Sequence, residues 1–249
     1  MKIEVLGSSS KGNSTYIEIN NIKFLIDCGF SYKYIEEKLN NINVKVSDLD
    51  FLIITHAHSD HVQSLYSFYR MNIPIYMGFD SYNELSIKDK VKNITFFDEL
   101  NNICGIKLTK IPISHDAKGF GFIFEYEDES LVYIADTGII YSRYFDKLTN
   151  KKAYLIESNH DVEMEMNGSK DNRTKIRNIG DEGHISNDDC ANKYLTRFIG
   201  PQTKLIILIH ISTNDNTYDL AYDTTKKIVN KNIKLLVAHE KEETELIKL

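Results

Sequence analysis

Phe51-Leu52-Ile53-Ile54-Thr55-His56-Ala57-His58-Ser59-Asp60-His61 is the stretch that decides the fold. Four consecutive apolar residues read as a buried strand. The chain leaves that strand at Thr55 into a tight loop that carries three histidines and an aspartate. Imidazole nitrogen and carboxylate oxygen are the donors a divalent transition metal takes in an open catalytic site, zinc above all. Extended spacing puts His56 and His58 on one side, aimed at one ion, while Asp60 and His61, beyond the turn, face a second. A lone histidine in a polar loop carries no such meaning; three with an aspartate in so short a run do.

Three further residues stand at the exits of apolar runs. His115 closes Ile111-Pro112-Ile113-Ser114-His115, Asp136 follows Leu131-Val132-Tyr133-Ile134-Ala135, and His210 ends Leu205-Ile206-Ile207-Leu208-Ile209. This His-x-His-x-Asp-His pattern after a strand resembles the metallo-β-lactamase-fold superfamily. The resemblance implies an αββα four-layer sandwich, one metal ion held by His56, His58 and His115, a second by Asp60, His61 and His210, and Asp136 between the two. The cofactors implied are two divalent ions, zinc or manganese. The residue pattern by itself supports mixed α and β structure.

Composition agrees with one catalytic domain spanning residues 1–249. The chain is 42% hydrophobic, and none of its apolar runs approaches the ~18 residues of a membrane span. Met1-Lys2-Ile3-Glu4-Val5-Leu6-Gly7 alternates like a strand and does not read as a signal peptide. Cys28, Cys104 and Cys190 are odd in number and unpatterned, as expected of reduced thiols in a cytoplasmic protein. A formal charge of −6 supplies no strong basic footprint for gripping long polyanions, and it leaves nucleic acid open to a local basic patch.

Strands are expected near 2–6, 15–19, 23–27, 50–54, 94–97, 103–112, 119–126, 131–135, 153–156, 204–209 and 233–237, with a short one at Pro74-Ile75-Tyr76. Helices are expected from the N-cap Ser31 through Leu39, after His61, from about Asn187 to Phe198 and around 217–229. The Gly7–Ser14 loop lacks the spacing of a P-loop and reads as a structural turn, with lining of a metal cleft as the alternative.

Beyond the metal motif, Leu155-Ile156-Glu157-Ser158-Asn159-His160-Asp161 and Gly183-His184-Ile185-Ser186-Asn187 narrow the reading. The pair resembles the phosphodiesterase branch that includes the ribonuclease Z family. Together with Ser10-Lys11-Gly12-Asn13 and Leu25-Ile26-Asp27-Cys28-Gly29 it resembles YycJ/WalJ-type DNA exonucleases and the anti-Pycsar enzymes, which hydrolyse cyclic nucleotides and so erase an antiviral signal. The chain departs from the exonuclease group in the polar run Gly168–Arg177, where Lys170, Arg173, Lys175 and Arg177 stand either to grip phosphate or on an ordinary solvated element.

The resemblance implies a metal-dependent phosphodiesterase acting on 3′,5′-cyclic nucleotides through a metal-bridged hydroxide. The alternative is a single-stranded-DNA exonuclease of the same mechanism. Asp60, His184 and Glu157 are the implied catalytic residues: Asp60 orients the nucleophile, and His184, polarised by Glu157, protonates the leaving oxygen. His160 is the rival acid. Asp27 is expected to hold a ligand histidine, and His239 to be a surface residue. The family further implies a homodimer in a bacterial cell, phage-encoded in some members, with Tyr66, Tyr69, Tyr76 and Tyr82 as interface candidates.

Overall fold

The computed structural model describes all residues from Met1 to Leu249. It resolves into two compact units. The first comprises Met1–Leu108, Ala117–Phe120 and Glu240–Leu249; the second comprises Thr109–Asp116 and Gly121–His239.

The first unit is built on a mixed sheet of β1 (Lys2–Ser9), β2 (Gly12–Ile19), β3 (Ile22–Ile26), β4 (Phe51–Ile53), β5 (Ile75–Met77) and β6 (Thr95–Phe96), in that spatial order. The C-terminal strand Ile247–Lys248 lies outside β1. β1, β2 and β3 run antiparallel, and β3 through β6 run parallel. The parallel run explains why β4 is apolar throughout: strands covered on both faces have no solvent side to alternate toward. Helix α1 (Tyr32–Asn41) starts where Ser31 accepts from the Tyr34 amide, and it buries Ile35 and Leu39 in the same cluster as Leu6, Leu25 and Leu52. Helices α2 (Ser59–Val62), α3 (Leu65–Arg70) and α4 (Phe79–Glu84) follow.

A second seven-stranded sheet contains β7 (Asn102–Ile103), β8 (Ile106–Pro112), β9 (Phe120–Tyr126), β10 (Glu129–Ile134), β11 (Ala153–Glu157), β12 (Leu205–Ile209) and β13 (Lys234–Val237). Its spatial order follows chain order, and β10 through β13 are parallel. Tyr154, Ile156, Ile206 and Leu208 pack with Tyr194, Leu195 and Phe198 in one core. Those last three lie on a wide-turned helical segment, Asp189–Leu195, and its continuation. Helices α5 (Phe145–Leu148), α6 (Val162–Asn167), α7 (Asn172–Ile179), α8 (Thr196–Phe198) and α9 (Tyr218–Lys226) belong to the second unit. Asp161, Asp171 and Thr217 cap α6, α7 and α9 through their side chains.

The polar run read as helix or loop is therefore largely α7. Its lysines are engaged within the unit: Lys170 pairs with Glu165 at 3.0 Å and Asp215 at 2.7 Å, and Lys175 donates to the Met166 carbonyl at 2.9 Å. Arg177 pairs with Asp116 at 3.2 Å. Burying Glu165 and Asp215 demands such partners, because an unpaired buried carboxylate is strongly disfavoured.

Candidate metal centre

In the first unit the parallel strands deliver their loops to one edge. Asp27 directly follows β3, and Thr55 lies just beyond β4, with His56 and His58 after it. Asp27 is fully buried, and its Oδ2 lies 2.7 Å from His61 Nδ1. Thr55 ties the group together: its hydroxyl reaches Asp27 Oδ2 at 2.8 Å and His56 Nδ1 at 3.1 Å, while its amide donates to Asp27 Oδ1 at 2.8 Å. The Nδ1 atoms of His56 and His61 thus face oxygen acceptors, the arrangement that leaves Nε2 as the coordinating atom. The ring centroids of His56 lie 4.7 Å from His58 and 4.1 Å from His61, and His61 Nε2 is 3.3 Å from Asp60 Oδ2.

Backbone fit explains part of this assembly. The Cys28 amide donates to the His61 carbonyl at 2.8 Å, bringing residues 27–29 against α2. A Cβ on Gly29 would lie 1.6 Å from the Asp60 carbonyl oxygen, so only glycine permits the approach.

The second unit assembles Asp136, Glu157, His184 and His210, with ligand atoms all within 4.8 Å of one another. Glu157 Oε1 lies 2.8 Å from Nδ1 of His184 and 2.8 Å from Nδ1 of His210. Its other oxygen accepts from the Thr137 and Ile185 amides at 3.0 and 3.2 Å. Burial alone would raise this carboxyl, but the two histidines prevail and hold it at about 2. Asp136 Oδ1 is 3.4 Å from His210 Nε2, 3.7 Å from His184 Nδ1 and 3.8 Å from His115 Nε2. Burial lowers the His115 pKa, only partly opposed by Asp136. Asn159 holds the His210 carbonyl at 2.8 Å. His184 enters the group because Gly183 presses against the carbonyls of Arg177 and Asn178, where a Cβ would sit 2.2 Å away.

His160 stands apart from this group. It is buried, neither ring nitrogen has a hydrogen-bond partner, and burial lowers its pKa. His239 is half-buried and stacks on Tyr218 with centroids 3.9 Å apart.

The donor set fits divalent ions. His210 gives its Nδ1 proton to Glu157, which makes Nε2 a lone-pair acceptor, yet that atom faces the Asp136 carboxylate across 3.4 Å. Two acceptors so placed repel unless a cation or proton lies with them. In the first unit His61 Nε2 lies 3.3 Å from Asp60 Oδ2, and there an Asn13 N–H points between the two atoms. Asp27, Asp136 and His210 also share a feature with no sequence signature: each follows its strand with positive φ, at 62°, 52° and 56°. Non-glycine residues held there are strained, and such strain concentrates at functional sites.

Residues 9–168 match the family model of the metallo-β-lactamase superfamily. Over 239 residues the chain is 37% identical to the exodeoxyribonuclease WalJ of Streptococcus pneumoniae serotype 2, covering 90% of this chain and 86% of that protein. It is 29% identical over 238 residues to the exodeoxyribonuclease YycJ of Bacillus anthracis, covering 93% and 90%. Among solved structures, the metallo-β-lactamase fold protein YhfI of Bacillus subtilis superposes with a TM-score of 0.72 at 16% identity, over 98% of each chain. The chain belongs to the metallo-β-lactamase superfamily, in the family of these WalJ and YycJ proteins. It is a metallo-β-lactamase-fold hydrolase.

Proposed function

We propose that this hydrolase is a metal-dependent exodeoxyribonuclease, cleaving phosphodiester bonds of single-stranded DNA, with both units acting as one catalytic domain. The observation that carries the chemistry is Glu157 Oε1 held between His184 and His210. Substrate class rests on the relatives at 37% and 29% identity, both named exodeoxyribonucleases.

His56, His58, Asp60, His61, His115, Asp136 and His210 are the proposed ligands of two divalent ions, zinc or manganese. Asp136 takes the role between the two ions, supported by the proposed ligands His115 and His210, whose Nε2 atoms lie 3.8 and 3.4 Å from its Oδ1. Ions held there would acidify a water nucleophile and neutralise charge on the phosphoryl oxygens. The protein's own contribution is proton delivery. The acid is the imidazolium form of His184: its Nδ1–H is held by Glu157, and the second proton, on Nε2, moves to the leaving oxygen. Glu157 stabilises the imidazolium before transfer and fixes the ring. Asp60 orients the attacking oxygen.

A second reading, hydrolysis of 3′,5′-cyclic nucleotides with a role in erasing antiviral signals, is favoured by one observation. Lys170 and Lys175 are engaged internally and offer little basic surface to a long strand.

No helix is long and apolar enough to cross a membrane. The three free cysteines support a reducing, cytoplasmic setting in a bacterial cell, for a gene of the cell or of its phage. Homodimerisation is part of the proposal, supported by the exposed Tyr66 stacked with Tyr69.

The discriminating experiment incubates zinc- or manganese-loaded protein with end-labelled single-stranded DNA and with a panel of 3′,5′-cyclic nucleotides. Stepwise mononucleotide release from DNA is expected. Hydrolysis confined to cyclic nucleotides would replace the first reading with the second, and inertness toward both would overturn the phosphodiesterase assignment.

A further inference from the structure

Asn13, in the Ser10-Lys11-Gly12-Asn13 segment, is not on a structural turn as expected. β1 and β2 continue to Ser9 and Gly12, so the turn shrinks to Ser10-Lys11 and Asn13 lies inside a strand. Its side chain is completely buried. The carboxamide has a determined orientation: Oδ1 accepts from the Ser8 hydroxyl at 2.8 Å, and Nδ2 donates to the Ser9 carbonyl at 2.9 Å. One N–H remains, and it points between Asp60 Oδ2 at 3.2 Å and His61 Nε2 at 3.1 Å.

That geometry has a specific meaning for cation binding. His61 donates Nδ1–H to Asp27, so its Nε2 can only accept. A cation held at Nε2 would compete with the shared N–H there and leave that N–H to Asp60 Oδ2. The Asp60 carboxylate, whose side chain is 19% exposed, would then have one oxygen tethered and the other presented.

We propose that Asn13 is a positioning residue that sets Asp60 to bind its ion through a single oxygen, with Ser8 fixing the carboxamide that does so. The inference rests on Asp60 and His61 being metal ligands. Its effect should be confined to the ion they hold, leaving the ion of His56 and His58 unchanged.

The test is zinc titration of the full-length apoprotein against a competing chelator, for wild type, Asn13→Ala and Ser8→Ala, with melting of each apoprotein as a check on folding. Wild type should take two ions. Asn13→Ala should bind one with wild-type affinity and the other about 10–100-fold more weakly, the usual scale for losing a residue that orients a ligand. Ser8→Ala, which keeps the carboxamide but removes the contact on its oxygen while the Ser9 carbonyl still holds Nδ2, should weaken the same ion by a smaller factor; it carries the test should Asn13→Ala fail to fold. Cobalt substitution supplies a signature that a merely structural role would not move. A freed Asp60 chelating through both oxygens raises the coordination number and weakens the visible d–d bands of one ion only. Two ions at wild-type affinity with unchanged cobalt spectra in both variants would overturn the proposal. Wild type binding no zinc would overturn the ligand assignment itself and this inference with it.

Discussion

Glu157 and His210 meet at 2.8 Å, Oε1 to Nδ1, and the oxygen that holds this proposed ligand is the one that holds the proposed acid His184. One carboxylate oxygen thus positions two imidazoles with different tasks. Glu157→Gln removes the charge from both contacts at once. It should therefore cost at least as much turnover as His184→Ala, on the order of 10²–10⁴-fold, and also lower metal affinity about 10–100-fold. Steady-state rates with parallel metal analysis would decide; a Glu157→Gln enzyme more active than His184→Ala and fully metallated would refute the shared role.

His184→Ala should instead separate substrates by leaving group. DNA releases an alkoxide that needs a proton, whereas bis(p-nitrophenyl) phosphate releases a stable phenolate. The variant should keep both ions, lose about 10²–10⁴-fold on DNA and far less on the activated ester. Equal losses on the two would mean that His184 binds phosphate, and the acid would have to be sought at His160.

Metal content is open to direct count. Dialysed protein should carry close to two equivalents of zinc or manganese by elemental analysis, and His61→Ala or Asp136→Ala should lower the count and abolish DNA hydrolysis while circular dichroism stays unchanged. A wild-type stoichiometry of one would remove the two-ion centre.

Glu4 lends the first unit a pH dependence remote from the site. It is buried, its Oε2 has no hydrogen-bond partner, and burial reinforced by Glu243 pushes its pKa up to about 7, only partly opposed by Lys38. Tyr16 and Tyr34 lie in the same neighbourhood, and Lys38 itself pairs with Glu243. Because the folded value exceeds the ordinary 4.5, the native state holds the proton more tightly. Stability from this group is present below pH 4.5 and lost as pH rises through 7. Glu4→Gln should match wild type near pH 5 and exceed it at pH 8 by about 1–2 kcal/mol after allowance for solvent screening, a few degrees in Tm. A constant Tm difference across that range would exclude Glu4 as the source.

Lys170 offers a stability test in the second unit. Its ammonium neutralises both Glu165 and Asp215, which are 0% and 2% exposed. Lys170→Ala leaves two buried carboxylates without their cation, at a cost of about 3–5 kcal/mol, or roughly 6–20 °C in Tm. A drop of only a degree or two in calorimetry would show the network to be solvent-relaxed.

Much of this was legible in the sequence because the informative signals are local. The apolar runs at 51–54, 131–135 and 205–209 mark strands whatever surrounds them, and His56–His61 needs no partner to be noticed. What escaped depends on tertiary geometry. α4, α6 and the C-terminal strand Ile247–Lys248 are too short for periodicity to declare them. The Ser8–Asn13 contact needs a hairpin tighter than its glycine and serine content implied. Nor does anything in Glu157-Ser158-Asn159-His160 announce that the glutamate reaches His210, 53 positions away.

The left-handed backbone at Asp27, Asp136 and His210 gives evolution a constrained choice. Glycine would adopt each conformation without strain, and relative to it each of these side chains forfeits about 1 kcal/mol. Selection for robustness alone would erode all three positions toward glycine, opposed at Asp136 and His210 by the demand for a ligand atom and at Asp27 by the need for a carboxylate that holds His61. Lineages that abandon catalysis while keeping the fold should therefore lose these three side chains early, and gain thermal tolerance as they do.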